Sequence, residues 1–251
     1  MYYIKLSLIL IVLFFSQVVA GTIDPNTPDS KYIDYGSQFH SVVRICGMSS
    51  DDTLYCASAI IIDEHHALTA AHVVDGAKLC VIALHDEEYP ISSIIVHKNF
   101  KPDDFGKADI ALCFSKKPFK LNFYPALYDT NDEVNKVCSI AGYGLTGNFH
   151  TGAIKSDANK RAGSNIVHDI QEDMLVCDPS LRSSPRYTQL EFFIASGDSG
   201  GGLFIDGKLA GINSCIMVEG RSPRSKYSEE SGHTRISKFL EWINENKTKV
   251  D

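Results

Sequence analysis

What most constrains the fold of this chain is a succession of short β-rich runs separated by turn residues, without the alternating helix patterns of a βαβ protein. Ser41 to Cys46 and Leu54 to Ile62 flank a polar turn at Met48 to Thr53 in hairpin arrangement. Further strands are predicted over Lys78 to Leu84, Ile91 to His97 and Asp109 to Phe114. The polar connection Leu121 to Glu133, with Pro125 and Asn131-Asp132, suits a linker between two β units. The second unit is predicted to use Lys136 to Ala141, Asn165 to Ile170, Met174 to Cys177, Gly202 to Ile205 and Lys208 to Asn213. Asp206-Gly207 marks a hairpin turn, and the polar stretch Gly144 to Gly163 is expected to be a mobile surface loop. Ser237 is placed as the cap of a terminal helix with Phe239, Leu240 and Ile243 on one face and Trp242 beside them. The expected class is all-β, a barrel or sandwich.

The 251 residues, 44% hydrophobic, suffice for a sizeable core in one β-rich domain or two small ones sharing a cleft. With 24 Lys+Arg against 31 Asp+Glu, the net charge of -7 offers no basic footprint for nucleic acid and no positive block for an anionic membrane. Lys5, the apolar run Leu6 to Phe15 and Val18-Val19-Ala20 have the layout of a secretory signal peptide over residues 1–20. An uncleaved anchor is the rival, but the run is short for a span of about 20 residues. The expected product is a secreted protein, extracellular or periplasmic, that begins near Gly21 and has no membrane attachment after cleavage. Residues 21–36, rich in proline and polar residues, are expected to form a leader or extended arm. Cysteines 46, 56, 80, 113, 138, 177 and 215 then enter an oxidising compartment, and their odd number leaves at least one without an intramolecular partner. None forms a CxxC pair, so no zinc site is indicated. Asn246-Lys247-Thr248 has the form of a glycosylation sequon.

Chemistry concentrates in Gly197-Asp198-Ser199-Gly200-Gly201, a serine among glycines with an acid beside it. A lone serine hydroxyl is a weak nucleophile until a base takes its proton, so Ser199 requires a partner elsewhere. Among the nine histidines, His72 ends the run Ala67-Leu68-Thr69-Ala70-Ala71, whose small residues allow the backbone to pack closely at a barrel edge. Asp109, leading the apolar strand Asp109-Ile110-Ala111-Leu112, is the candidate acid to fix the imidazole tautomer. His65 and His66 are expected to be solvated turn residues. Asp86, Glu87 and Glu88 are acidic enough to suggest calcium.

Thr69-Ala70-Ala71-His72-Val73, Asp109 to Leu112 and Gly197 to Gly201 resemble the three signatures of the chymotrypsin/trypsin-like serine proteases, in that family's order. Gly142-Tyr143-Gly144, Gly211 to Ser214 and the tryptophan-bearing terminal helix are similar too, so the resemblance covers about residues 37–248. It implies two six-stranded antiparallel β-barrels, about 37–120 and 134–236, followed by a helix over 237–248. It further implies a triad of His72, Asp109 and Ser199, an oxyanion hole from the N–H groups of Gly197 and Ser199, and no cofactor. The interval from His72 to Asp109 is shorter than in calcium-binding relatives, so no metal is expected. Phe193, in this resemblance, falls at the pocket floor, with Ser196, Ser214 and Ile216 as further substrate-binding positions. With no acid at the floor, cleavage after Lys or Arg is not expected; small or medium apolar side chains are.

Departures from the family matter as well. Cys56, Cys138 and Cys177 resemble single halves of family disulfides whose partners are missing, and Ala195 stands where a pocket-flanking cysteine would fall. Cys46, Cys56 and Cys80 would lie on neighbouring strands, leaving open one new bridge there or free buried thiols. Many relatives are zymogens whose new N-terminal residue pairs with the acid beside the serine, here Asp198. Lys31-Tyr32 lies in about the right place but offers tyrosine where isoleucine is expected; either processing is unusual or the site is preformed. The combined expectation is a monomeric, secreted serine endopeptidase acting on protein or peptide substrates through an acyl-enzyme. The alternative is a catalytically inactive, protease-like binding module. A nucleophile elbow with Asp206 and His233 as partners fits poorly, because hairpin-like strands rather than βα units follow Ser199.

Overall fold

The computed structural model describes residues 21–248 apart from Phe105 and Ser156; the signal peptide expected over 1–20 lies outside the described residues. The chain starts with β1 (Thr22–Ile23) and α1 (Asp29–Gly36). A first unit follows, made of β2 (Val42–Met48), β3 (Leu54–Ile61), β4 (His66–Thr69), α2 (Ala71–Val74), β5 (Leu79–Leu84), β6 (Glu87–Pro90), β7 (Ser93–Val96) and β8 (Ala111–Phe114). The second runs through β9 (Val137–Gly142), β10 (Thr146–Asn148), β11 (Gly152–Lys155), β12 (Arg161–Ile166), β13 (Asp169–Gln171) and β14 (Met174–Cys177). It continues with β15 (Phe192–Phe193), β16 (Gly202–Ile205), β17 (Lys208–Met217) and β18 (Glu230–Arg235), then a 3-10 turn and α3 (Leu240–Lys247).

Each unit is a sheet closed on itself by one bent strand. The first sheet runs β6-β5-β2-β3-β4-β8-β7, so its two edges are consecutive in sequence. Between them, the N–H of Ile91 donates to Cys80 on β5 and that of Ser92 to Phe114 on β8, carrying a single strand across the seam. Pro90 fits at this bend because proline has no ladder donor to lose. The second sheet, β12-β9-β16-β17-β18-β14-β13, closes the same way: Val167 donates to Lys136 beside β9 and His168 to Val176 on β14. Counting each bent strand once gives two six-stranded barrels, the architecture expected from the resemblance.

The first barrel is filled by aliphatic side chains such as Ile45, Ile60, Leu68, Ile82 and Leu112, each at most 1% exposed. Burying one such side chain contributes roughly 1.5–3 kcal/mol. Cys46 and Cys56 face each other across β2 and β3 and are bridged, while Cys80 stays a buried thiol. Helix α3 covers this unit, and His97 meets the rings of Phe239 and Trp242 edge-on at 5.1 and 5.2 Å. The second barrel mixes apolar residues with buried polar groups, including Asn213, Ser231, His233 and Glu191.

Several expectations are corrected. Residues 21–36 are no extended arm: β1 inserts between β10 and β15, and Tyr32 of α1 is fully buried in the second core. Arg161 fixes α1 through two bonds of 2.6 Å to Asp29, with Asp157 on its other side. The polar stretch 144–163 contains the β10–β11 hairpin, and β18, lacking a clear apolar alternation in Glu230-Ser231-Gly232-His233-Thr234-Arg235, was not foreseen. Ser237 caps no helix; its hydroxyl donates to Glu133 and Asn131 of the inter-barrel connection. His66 is buried rather than solvated, with Nδ1 2.8 Å from Asp63. Asn246 of the sequon is 5% exposed and donates to the Trp242 carbonyl at 2.7 Å, which does not suit a glycan acceptor.

Candidate active site

His72, Asp109, Ser199 and Ser214 line one cleft of about 460 Å³ between the barrels. The first barrel supplies base and acid. His72 sits in the single turn of α2, and Asp109 lies just ahead of β8, which pairs with β4. Asp109 Oδ1 accepts the His72 backbone N–H at 2.9 Å, while Oδ2 stands 2.7 Å from His72 Nδ1. One carboxylate thus fixes both the backbone and the ring, leaving Nε2 as the nitrogen available to a hydroxyl.

The second barrel completes the acid's surroundings. β17 carries a bulge against β18 between Asn213 and Cys215, and the displaced Ser214 donates its hydroxyl to Asp109 Oδ2 at 2.6 Å. Thr234 of β18 donates to the Asp109 carbonyl at 3.0 Å. Burial acts to raise the Asp109 pKa, but hydrogen bonds from His72 and Ser214 outweigh it and hold the carboxyl below its ordinary value. An ionised acid beside a histidine is what general-base chemistry requires.

The serine loop is fixed by its carbonyls. Ser58 of β3 donates its N–H to the Ser199 carbonyl at 2.9 Å and its hydroxyl to the Gly197 carbonyl at 3.0 Å. Its hydroxyl also accepts the N–H of Tyr143 at 2.9 Å, joining the Gly142-Tyr143-Gly144 element to the loop. The Asp198 carbonyl accepts from Gly201, and among the described residues the N–H groups of Gly197 and Ser199 are left unengaged. Gly200, at φ +80°, has no room for a Cβ beside Thr69 Oγ1 and the Ser58 carbonyl. Asp198 is fully buried, with one oxygen accepting from Ala195 and the other from Gly144, each at 2.8 Å. Burial pushes its carboxyl up to about 7, against the lowering effect of these backbone donors.

Of the substrate-binding candidates, Ser196, Ser214 and Ile216 line the cleft and Phe193 does not. Phe193 is fully buried in β15, paired with Thr22 of β1, and the cleft wall at this level is Ile194 and Ala195. Alternation along β15 sends the Phe192 and Phe193 side chains to opposite faces, and both are fully buried. Ser58 and Thr234 were missed altogether. Neither sits in a motif, and only the barrel pairing brings them to the loop and to Asp109. His233 lies inside the second barrel, with Nδ1 2.9 Å from Asn213 Oδ1 and Nε2 3.0 Å from Ser231 Oγ, which removes it as a partner for Ser199.

A model of the trypsin family matches residues 37–243. The chain belongs to the trypsin family. It is 24% identical over 210 residues to mast cell protease 8 of Mus musculus, covering 76% of this chain and 78% of that one. Among solved structures it resembles HL collagenase, with a TM-score of 0.70 and 21% identity over 92% of this chain and 99% of the other. Neuropsin from mouse brain superimposes with a TM-score of 0.67 at 18% identity over 84% of this chain and 96% of that one. An inactivated protease paralogue of the scabies mite matches at a TM-score of 0.63 and 16% identity, covering 84% and 96%. The same fold therefore occurs in proteases and in an inactivated paralogue, and the fold alone does not decide between them. The trypsin-family serine proteases are peptidases, which makes protein or peptide the substrate class to test here.

Proposed function

We propose that the protein is a secreted serine endopeptidase that hydrolyses peptide bonds through His72, Asp109 and Ser199. The observation that carries this reading is the closed pair of His72 and Asp109 at 2.7 Å, in a cleft that also presents Ser199. Ser199 Oγ attacks the scissile carbonyl while His72 Nε2 takes its proton and returns it to the leaving amine. Asp109 stays ionised and stabilises the imidazolium. The free N–H groups of Gly197 and Ser199 meet the negative charge of the tetrahedral intermediate; losing one such donor typically costs about 3–4 kcal/mol. Water then releases the acyl-enzyme, with no metal or cofactor in any step.

The cleft wall of Ile194, Ala195 and Ile216 favours small or medium apolar side chains over Lys and Arg. A fluorophosphonate probe is expected to label the wild-type protein at Ser199 and to leave a folded Ser199→Ala variant unlabelled, with peptide turnover falling about 10⁶-fold. Absence of labelling in folded, N-terminally processed protein would favour the inactive binding module. Cleavage of a diverse peptide library mainly after Arg or Lys would overturn the specificity.

A further inference from the structure

Five cysteines of the described residues are free thiols, and two of them meet. Cys138 of β9 and Cys177 of β14 lie in the core of the second barrel, each at most 1% exposed, with their Sγ atoms 3.8 Å apart. They share no ladder. Their strands stand on either side of the bent strand that closes this barrel. Cys138 pairs with Asn165 on one limb of it, and the other limb, Asp169 to Gln171, pairs with Met174 to Val176 just before Cys177. At the bend itself the His168 N–H donates to the Val176 carbonyl. Closure of the barrel therefore brings together two thiols 39 residues apart in sequence.

Other thiols of the molecule meet groups that cannot close a bridge: Cys80 the Tyr55 hydroxyl at 3.7 Å, and Cys215 the Met174 thioether at 3.9 Å. Among the described residues no group of three or more His, Cys, Asp or Glu is placed to hold a metal ion, so the pair is not part of a metal set. A disulfide needs its sulfurs at about 2.05 Å, and closing the present gap calls for roughly 1.8 Å of sulfur movement, within reach of χ1 rotation of the two side chains. The bond would give up only a weak S–H donor, from Cys138 to the Asn165 carbonyl at 3.4 Å. Burial raises the Cys177 thiol well above its ordinary value. The thiolate is the reactive form, so exchange belongs to the chain whose barrel is still open.

We propose that Cys138 and Cys177 form a second disulfide of the exported protein, made by exchange with a low-molecular-weight disulfide before the second barrel closes. One cysteine thiolate attacks the small disulfide, giving a mixed disulfide and releasing one small thiolate. The other cysteine thiolate then attacks the protein sulfur, forms the Sγ–Sγ bond and expels the second small thiolate. Two electrons pass from the cysteines to the small disulfide, which leaves as two thiols carrying the two protons. The bond would tie together the two sides of the barrel that serve the cleft. β9 runs into Gly142 to Gly144, where Tyr143 donates to the Ser58 hydroxyl and Gly144 to Asp198. β14 pairs with β18, whose Thr234 donates to the Asp109 carbonyl. The proposal rests on the export half of the reading above and not on catalysis.

The test is a non-reduced peptide map of the protein recovered from the medium of a secreting host, with free thiols alkylated in denaturant and Ser199→Ala introduced to prevent self-digestion. Three alkylated cysteines are expected, Cys80, Cys113 and Cys215, together with two cross-linked peptide pairs, one joining Cys46 to Cys56 and one joining Cys138 to Cys177. A Cys138→Val variant should raise the alkylated count to four, with Cys177 as the newcomer. Alkylation of both Cys138 and Cys177 beside an intact Cys46–Cys56 bridge overturns the proposal, as does a bridge from either to another cysteine. If the protein stays in the cell, or all seven cysteines are alkylated, the export reading fails. The chain is then refolded from denaturant in a glutathione redox buffer. A Cys138–Cys177 cross-link formed there supports the pairing without export, and its absence sinks both.

Discussion

The two barrels share a topology and differ in what fills them. The first is aliphatic and carries the Cys46–Cys56 bridge, so its integrity follows from burial and one covalent link. The second encloses His233, Asn213 and Glu191, and relies on β1 and α1 for part of its core. Each contributes differently to the cleft. The plain barrel presents His72 and Asp109 on a short helix and a strand end, whereas the polar one presents Ser199 and Ser214 from a loop and a bulge. Rigid burial positions the base and acid; a hydrogen-bonded polar interior positions the nucleophile and its loop. Damage to the interior of the two units should therefore register differently, through one covalent link in the first and through buried polar pairs and acid stability in the second.

The sharpest break in this comparison is Asp109→Asn. It alters the tautomer that His72 adopts and is expected to lower turnover about 10⁴-fold, with an unfolding midpoint close to wild type. Parallel measurement of turnover and of thermal unfolding checks it. Next in size is Glu133→Ala in the connection to the second barrel. Glu133 is fully buried and bonds Arg235 at 2.8 and 2.7 Å, so its loss strands a nearly buried guanidinium. The expected destabilisation is about 3–5 kcal/mol by urea unfolding.

Replacing both Cys46 and Cys56 with serine should cost about 2–3 kcal/mol, since the bridge closes a short loop of the unfolded chain. A larger loss would mean that the first barrel depends on its link more than on its core. The smallest effect at neutral pH belongs to His233. Burial holds this imidazole down to about 3, so the folded state favours its neutral form. That stability is present above the ordinary histidine value near 6.5 and drains away as pH falls from there towards 3. Urea unfolding across this range should show the loss, and a His233→Gln variant should flatten it.

The strand runs of both barrels were legible because each carries its own apolar signal, and the triad candidates because each lies in a compact motif. What escaped did so for physical reasons. β18 is almost wholly polar, and its burial follows from partners on β14 and β17 that no local pattern announces. Phe193 was placed at the pocket floor because spacing from Ser199 does not tell which side chains of this segment turn to the cleft; Ile194 and Ala195 do, and Phe193 is fully buried in a strand paired with β1. Ser58 is an ordinary strand residue until Gly197 and Ser199 come to rest against it. Residues 21–36 look unstructured because prolines and charges suppress any period; Arg161, far along the chain, gives them a place.

The bent strands that close the barrels also determine where the molecule is sticky. A strand carried across a seam leaves no row of unpaired amides for another chain to extend, so neither barrel offers an aggregation template. One rim of the four-stranded sheet is β11, the other β15. Ile154 of β11 is 66% exposed, the Ala153 N–H is already taken by the Arg224 carbonyl, and Lys155 adds a charge at the strand's end. A concentrated solution of this protein would be guarded against edge-to-edge growth at β11 chiefly by those two neighbours of Ile154.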